Sequence, residues 1–201
     1  MVSAVLLGAG ESRRMGRDKL SLPWGKGTVL EHSLEVLLQS HVREVIVVLR
    51  DLQGGFGSFS LPLRRGPGAG ERVKIVRNPY YKRGMSTSIR RGLQAIDPCA
   101  GGILIALGDQ PLIKARTINA LIHAFDRRSG AIVVPSFRGE KGHPVIFDRR
   151  YFHELLRLRG DAGGRSVIEK HAAEVRLVRV RSAGVTKDID TWKDYKKMVN
   201  Q

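Results

Sequence analysis

The chain opens Val2-Ser-Ala-Val-Leu-Leu7 and runs on through Gly8-Ala-Gly-Glu-Ser-Arg-Arg-Met-Gly-Arg-Asp-Lys19. A short apolar run bounded by glycine predicts a first strand buried on both faces. It empties into a loop with glycines at 8, 10 and 16 and cations at Arg13, Arg14, Arg17 and Lys19. Glycine lets backbone approach a ligand closely and take positive φ. Free amides and fixed cations then favour a polyphosphate. The spacing is neither that of a Walker A loop nor the Gly-x-Gly-x-x-Gly of dinucleotide-binding folds. A solvated glycine-rich turn is the plainer alternative for the same residues.

Outward from that loop, apolar runs alternate with helical periodicity. Further strands are predicted at Glu44–Leu49, Val73–Val76, Ile103–Leu107, Ala131–Pro135, Pro144–Phe147 and Val175–Arg181. Thr28-Val-Leu-Glu31 is a capping box that opens a helix through about Ser40. Ser86 or Thr87 is the expected cap of a helix reaching Ile96, and Lys114–Arg127 is a third. Arg149–Leu158 and Ser166–Ala173 read as short helices, and Thr191-Trp-Lys-Asp194 caps a final one. Asp51–Glu71, rich in glycine, reads as a surface loop with an extended piece near Phe59–Leu63. This alternation predicts one α/β domain over residues 1–201, a three-layer Rossmann-like arrangement on a mainly parallel mixed sheet.

Composition narrows the class. The 201 residues are 42% hydrophobic, enough for a packed core. No apolar run approaches the roughly 20 residues of a membrane span. The six apolar residues at the start have no basic segment before them, so they read as strand and not as a signal peptide. Cys99 is the single cysteine, which excludes an intrachain disulfide and fits a cytoplasmic setting. With 35 Lys and Arg against 19 Asp and Glu, the formal charge is +16. Nucleic-acid binding, attraction of polyanionic substrates and a merely solvated basic surface all remain open on that number. Aromatics are not interleaved with the cations as base-stacking platforms would be, which argues against nucleic acid.

In an open parallel sheet, ligands sit beyond the carboxyl ends of the strands. Asp109 directly follows a strand predicted as buried, and Pro111 prevents that strand from continuing. It is the first candidate for a metal carboxylate, with a turn cap as the alternative. Asp190 is the second, and Asp188 could replace it. Mg²⁺ takes one or two carboxylates plus substrate phosphates. Arg14 and Lys19 are candidates for a triphosphate. Ser88 either meets a nucleotide or bonds a nearby backbone carbonyl, and His143 reads as a turn histidine held by backbone more than as a catalytic base. No Ser/His/Asp set or histidine pair supports a covalent hydrolase or a zinc site.

Taken together these residues resemble the MobA-like nucleotidyltransferases, and within them the molybdenum cofactor cytidylyltransferases of the MocA type. The resemblance rests on the pattern Leu-x-x-Gly-x-x-x-Arg-Met-Gly-x-x-Lys, carried by Leu7, Gly10, Arg14, Met15, Gly16 and Lys19. It rests further on Asn78, Gly84–Leu93, Gly108–Pro111, Gly142–Pro144, Gly160–Arg165 and Asp188–Thr191. It implies transfer of a nucleotide from an NTP to a phosphorylated acceptor, molybdopterin in this branch, with release of pyrophosphate and with Mg²⁺ as cofactor. Arg14, Lys19 and Asp109 would be the catalytic groups. Leu7, Ala9, Gly10, Met15, Gly16, Gly84 and Ser88 would complete the nucleotide site, and Asp109 and Asp190 would hold the metal. His143, Asp161 and Arg165 would face the acceptor. Ala9, where guanylyl-transferring relatives tend to have glycine, implies CTP. A transient contact with a molybdoenzyme or its chaperone is the implied partner. Gly8 in place of alanine and Trp192 in place of proline depart from the pattern. The competing classes are transfer to a sugar phosphate, phosphopolyol or phospholactate, use of GTP, and a non-enzymatic basic module that binds nucleic acid.

Overall fold

The computed structural model describes residues 1–12, 14–51, 72–127 and 132–200. The expected loop beyond Asp51 through Glu71, with its extended piece, and Ala131 lie outside them. Ten strands are described: β1 (Val2–Gly8), β2 (Pro23–Trp24), β3 (Gly27–Thr28), β4 (Val45–Leu49), β5 (Val73–Arg77), β6 (Gly102–Leu107), β7 (Ile132–Phe137), β8 (Glu140–Lys141), β9 (Val145–Asp148) and β10 (Val175–Arg179). The helices are α1 (Val29–Leu38), α2 (Met85–Ala95), α3 (Ala115–Asp126), α4 (Phe152–Arg157), α5 (Arg165–Lys170) and α6 (Trp192–Val199). Strands follow the order β10-β7-β9-β6-β1-β4-β5, with β8 on β7 and β2–β3 as a separate hairpin. Along that order β9 alone runs against its neighbours.

Successive strand residues point to opposite faces, and the core divides accordingly. Ala4, Leu6, Val45, Val47 and Leu104 pack with Leu30, Leu34 and Leu121 of α1 and α3. Val5, Ile46, Val48, Ile103 and Ile105 pack with Ile89 of α2, Leu155 of α4 and Val167 of α5. The sheet is thus the middle of three layers, as expected. Among the described residues no helix is long and apolar enough to cross a membrane.

Both capping boxes form. Thr28 Oγ1 accepts from Glu31 N (3.2 Å) while Glu31 Oε2 accepts from Thr28 N (2.7 Å). Thr191 and Asp194 repeat the arrangement at α6. The expected cap of α2 is wrong. The helix begins one residue after Gly84 with no side-chain cap, and Ser86, Thr87 and Ser88 are buried inside it. The Thr87 and Ser88 hydroxyls serve elsewhere: Asn78 Nδ2 donates to Thr87 Oγ1 (2.8 Å) and Ser88 Oγ (2.9 Å). Other boundaries move by up to three residues, the largest shifts being at the start of α4 and the end of α5, where tight 3-10 turns (Arg149–Tyr151 and Ala172–Glu174) flank the helices. Glu44, expected in a strand, instead precedes β4 as a buried carboxylate. It accepts from Ser3 Oγ (2.8 Å) and Asp97 N (2.6 Å) and pairs with Lys74 (2.8 Å). Burial pushes this carboxyl up, but the Lys74 ammonium and the two hydrogen bonds outweigh it and hold it below the usual range.

Two outcomes are expected. A Cβ at Gly92 would stand 2.4 Å from Val5 Cγ1, so Gly92→Ala destabilises by about 1–3 kcal/mol through overpacking. That exceeds the gain of up to about 1 kcal/mol from better helix propensity, and urea midpoints give the sign. Glu44 contributes stability above its unfolded pKa, and the contribution is lost as pH falls through its lower folded value. Stability measured downward from about pH 5 therefore drops less steeply in Glu44→Gln than in the wild type.

Candidate active site

The parallel pairing of β1 with both β4 and β6 brings three loop starts to one edge of the sheet. At the centre, Gly108 N donates to Leu7 O (3.0 Å). A Cβ on Gly108 would stand 3.0 Å from that same oxygen, so the turn into Asp109 stays tight only with glycine. Ser33 of α1 donates to Gly108 O (3.1 Å). Asp109 then faces the first loop, where its Oδ2 lies 2.6 Å from Lys19 Nζ. Lys19 Nζ is also 3.3 Å from Asp190 Oδ1, and Arg14 pairs with Asp190 Oδ2 at 3.2 Å. Ile189 N donates to Asp109 O (3.0 Å), which sets the backbone of the C-terminal segment beside β6. Lys19, Asp109 and Asp190 therefore meet, as expected of them.

The first loop is braced along its length. Asp18 caps the short turn at Lys19–Ser21 and pairs with Arg50 (2.7 Å), which also donates to Gly10 O. Ser12, at φ 51°, accepts from Lys19 N (3.1 Å). Trp192 Nε1 donates to Met15 O (3.2 Å), so the residue that departs from the family pattern clasps this loop. Ser12, Arg50 and Trp192 were not among the expected site residues. Arg50 directly follows β4, and the strand-end rule could have found it.

Electrostatics at this point are crowded. Burial alone would lower the Lys19 ammonium, but Asp109 and Asp190 more than offset it and hold the group above its usual value. Desolvation and the Asp109 carboxylate push Asp188 up, against a hydrogen bond from Gln110. Asp109 Oδ1 is buried and has no partner among the described residues. Among those residues no group of three or more His, Cys, Asp or Glu side chains is placed to hold a metal ion by itself. A hard cation completed by substrate phosphates needs fewer protein ligands, and the spare oxygen of Asp109 beside Asp190 suits that chemistry.

The second half of the site lies across α2. Gly84 (φ 102°) has no room for a side chain, since a Cβ would overlap the Gly160 carbonyl and the Asp161 amide. Ser86 N donates to Gly160 O (3.1 Å), docking the 160–164 segment on the start of α2. Ser88 is buried, and its hydroxyl accepts from Asn78 Nδ2 with no backbone carbonyl bonded to it among the described residues. His143 N donates to Val185 O (2.9 Å), as a turn histidine would, and its ring also lines a cleft of about 380 Å³ with Arg165. Burial pushes the His143 imidazole down, partly opposed by Asp109. Asp161 is exposed and is not among the residues lining that cleft. The structure thus joins two of the three expected acceptor residues.

Comparison with known proteins agrees with this fold. The Rv0371c protein of Mycobacterium tuberculosis superposes with TM-score 0.82 and 31% identity, covering 100% of this chain and 98% of that one. Its manganese complex gives 0.78 and 29%, with the same coverage. The purine catabolism protein PucB of Bacillus subtilis is 29% identical over 193 residues, 95% of this chain and 92% of its own. The molybdenum cofactor cytidylyltransferase of Escherichia coli is 25% identical over 194 residues, 96% and 93% of the two chains. A model of the MobA-like NTP transferase domain matches residues 4–175, a span that holds the first loop, Asp109, His143 and Arg165. That match covers most of the chain, and this chain belongs to the MobA-like NTP transferase family of nucleotidyltransferases.

Proposed function

We propose that this nucleotidyltransferase moves CMP from CTP to a phosphate of molybdopterin in the cytoplasm and releases pyrophosphate. The observation that carries the reading is the Lys19 ammonium set between Asp109 and Asp190, beside a buried carboxylate oxygen with no described partner. Cations for a triphosphate and hard oxygens for a divalent metal are thereby in one place. An acceptor cleft lined by His143 opens nearby, within electrostatic reach of Asp109. The relative named as a molybdenum cofactor cytidylyltransferase supports the acceptor and the base, and Ala9, buried after β1, supports the base from the residues.

Asp109 and Asp190 would hold Mg²⁺, which when bound offsets triphosphate charge and polarises the α-phosphate. Every other task falls to the chain. Lys19 and Arg14 exchange their carboxylate partners for phosphate oxygens as the nucleotide enters. The glycines and amides of residues 7–16 follow the triphosphate and ribose, while Gly84 and Ser88 bound the nucleoside. His143 and Arg165, which line the cleft, orient the acceptor. An acceptor phosphate oxygen attacks the α-phosphorus in line. The new P–O bond forms as the bond to the bridging oxygen breaks, and pyrophosphate leaves with the electron pair. Arg14 and Lys19 stabilise the charge that develops on it. No covalent enzyme intermediate is needed. Product passes to a molybdoenzyme or its chaperone.

Pyrophosphate release with CTP, GTP, UTP and ATP, with and without molybdopterin, tests the reading. CTP with molybdopterin is expected to exceed GTP by at least about tenfold in kcat/KM. Faster turnover with GTP overturns the base, and turnover only with a sugar phosphate, phosphopolyol or phospholactate overturns the acceptor. Asp109→Ala should lower kcat by at least about 10²–10³ with an unchanged far-UV circular dichroism spectrum. A near-normal rate in that variant removes Asp109 from the site.

A further inference from the structure

Lys141 stands at the acceptor cleft with no carboxylate partner among the described residues. Its presentation is rigid. After β7 the chain reverses through Arg138 (φ 50°) and Gly139 (φ 88°), and β8 pairs back with Ser136 opposite Lys141. Two consecutive positive φ values are the hallmark of the tight two-residue hairpin whose twist matches its strands. Holding a non-glycine residue there costs energy that surrounding contacts must offset; the Arg138 guanidinium lies 5.3 Å from the centre of the Phe137 ring. Gly142 N then donates to Pro135 O (3.0 Å). A Cβ on Gly142 would overlap the Val185 carbonyl oxygen, the same atom that accepts from His143 N. The hairpin and this close approach deliver Lys141 and His143 to the cleft together.

The cleft has a distinct chemical character. Its floor is lined by Ile105, Val145 and Phe147, each almost wholly buried, with the partly exposed Ile168 beside them. The Arg165 guanidinium is answered by Glu169 at 2.8 Å, and burial disfavours charge on His143. Lys141 is left as the one lining cation without a counter-charge among the described residues. An apolar floor with a single uncompensated ammonium complements a ligand with a weakly polar body and a negative group at one point.

We infer that Lys141 selects the acceptor by charge, its ammonium holding an anionic substituent of an acceptor whose body enters this cleft. The inference rests on the acceptor reading above and adds a specificity residue that the family pattern did not supply. The ammonium is a point charge on a flexible stem, so it selects for charge more than for the shape of the anion.

Binding of pterin-6-carboxylate and of uncharged pterin, each followed by its own fluorescence, separates charge from ring contact. The wild-type protein should bind the carboxylate roughly tenfold more tightly, the scale of one charge-assisted hydrogen bond. Lys141→Gln should abolish that preference while leaving pterin and CTP affinities unchanged, and Lys141→Arg should keep most of it. Equal weakening of both ligands in Lys141→Gln, an undiminished preference, or a wild type that binds the two alike or not at all overturns the inference. Charge discrimination that persists where molybdopterin supports no pyrophosphate release refutes the acceptor alone. Transfer to molybdopterin without discrimination refutes Lys141 alone.

Discussion

The ammonium of Lys19 ties together three stretches of chain that are far apart in sequence. One is the irregular loop after β1, one is the end of β6 at Asp109, and one is the C-terminal segment at Asp190. The Lys19 and Asp109 side chains are only 15% and 19% exposed, so their attraction is screened less than that of a surface pair. The like charges of Asp109, Asp188 and Asp190 repel one another, and Lys19 with Arg14 is what allows them to stay close. The loop has little regular structure of its own. Its shape comes from this ion pair, from Ser12, from the Asp18–Arg50 bridge and from the Trp192 indole.

Close backbone packing lets these charges converge. Gly108 admits the turn after β6, Gly84 admits the 160–164 segment, and a Cβ on Gly164 would stand 2.4 Å from the Phe147 ring. Each absent side chain lets a segment that bears site residues lie against the sheet or against α2. The antiparallel strand β9 adds a second device. It pairs Val145 with Ile105 near the end of β6, so its beginning, and not its end, reaches the functional edge. That reversal puts His143 within electrostatic reach of Asp109.

Much of this was legible in the residues, for local reasons. The capping boxes at Thr28 and Thr191 need only four neighbouring residues, and both formed. Apolar runs long enough to cross a buried sheet marked β1, β4 and β6. The strand-end rule placed Asp109 and the first loop at one edge. The start of α2 was misread because Ser86 and Thr87 look like caps, whereas both lie inside the helix and Asn78, nine residues before Thr87, donates to its hydroxyl. The β2–β3 and β7–β8 hairpins were missed because two-residue strands carry no periodicity.

By itself the sequence determined the layered α/β plan and the chemical nature of the first loop, because hydrophobic period, glycine position and capping act over a few residues. Only the tertiary structure decided which cations are neutralised and which carboxylate oxygen is left spare. It also decided that a histidine preceding a strand belongs at the same edge as the aspartate following another. Those outcomes depend on strand direction and on distances of a few ångströms between groups far apart in the chain. Coulombic and hydrogen-bonding energies vary steeply over such distances, and no local pattern encodes them.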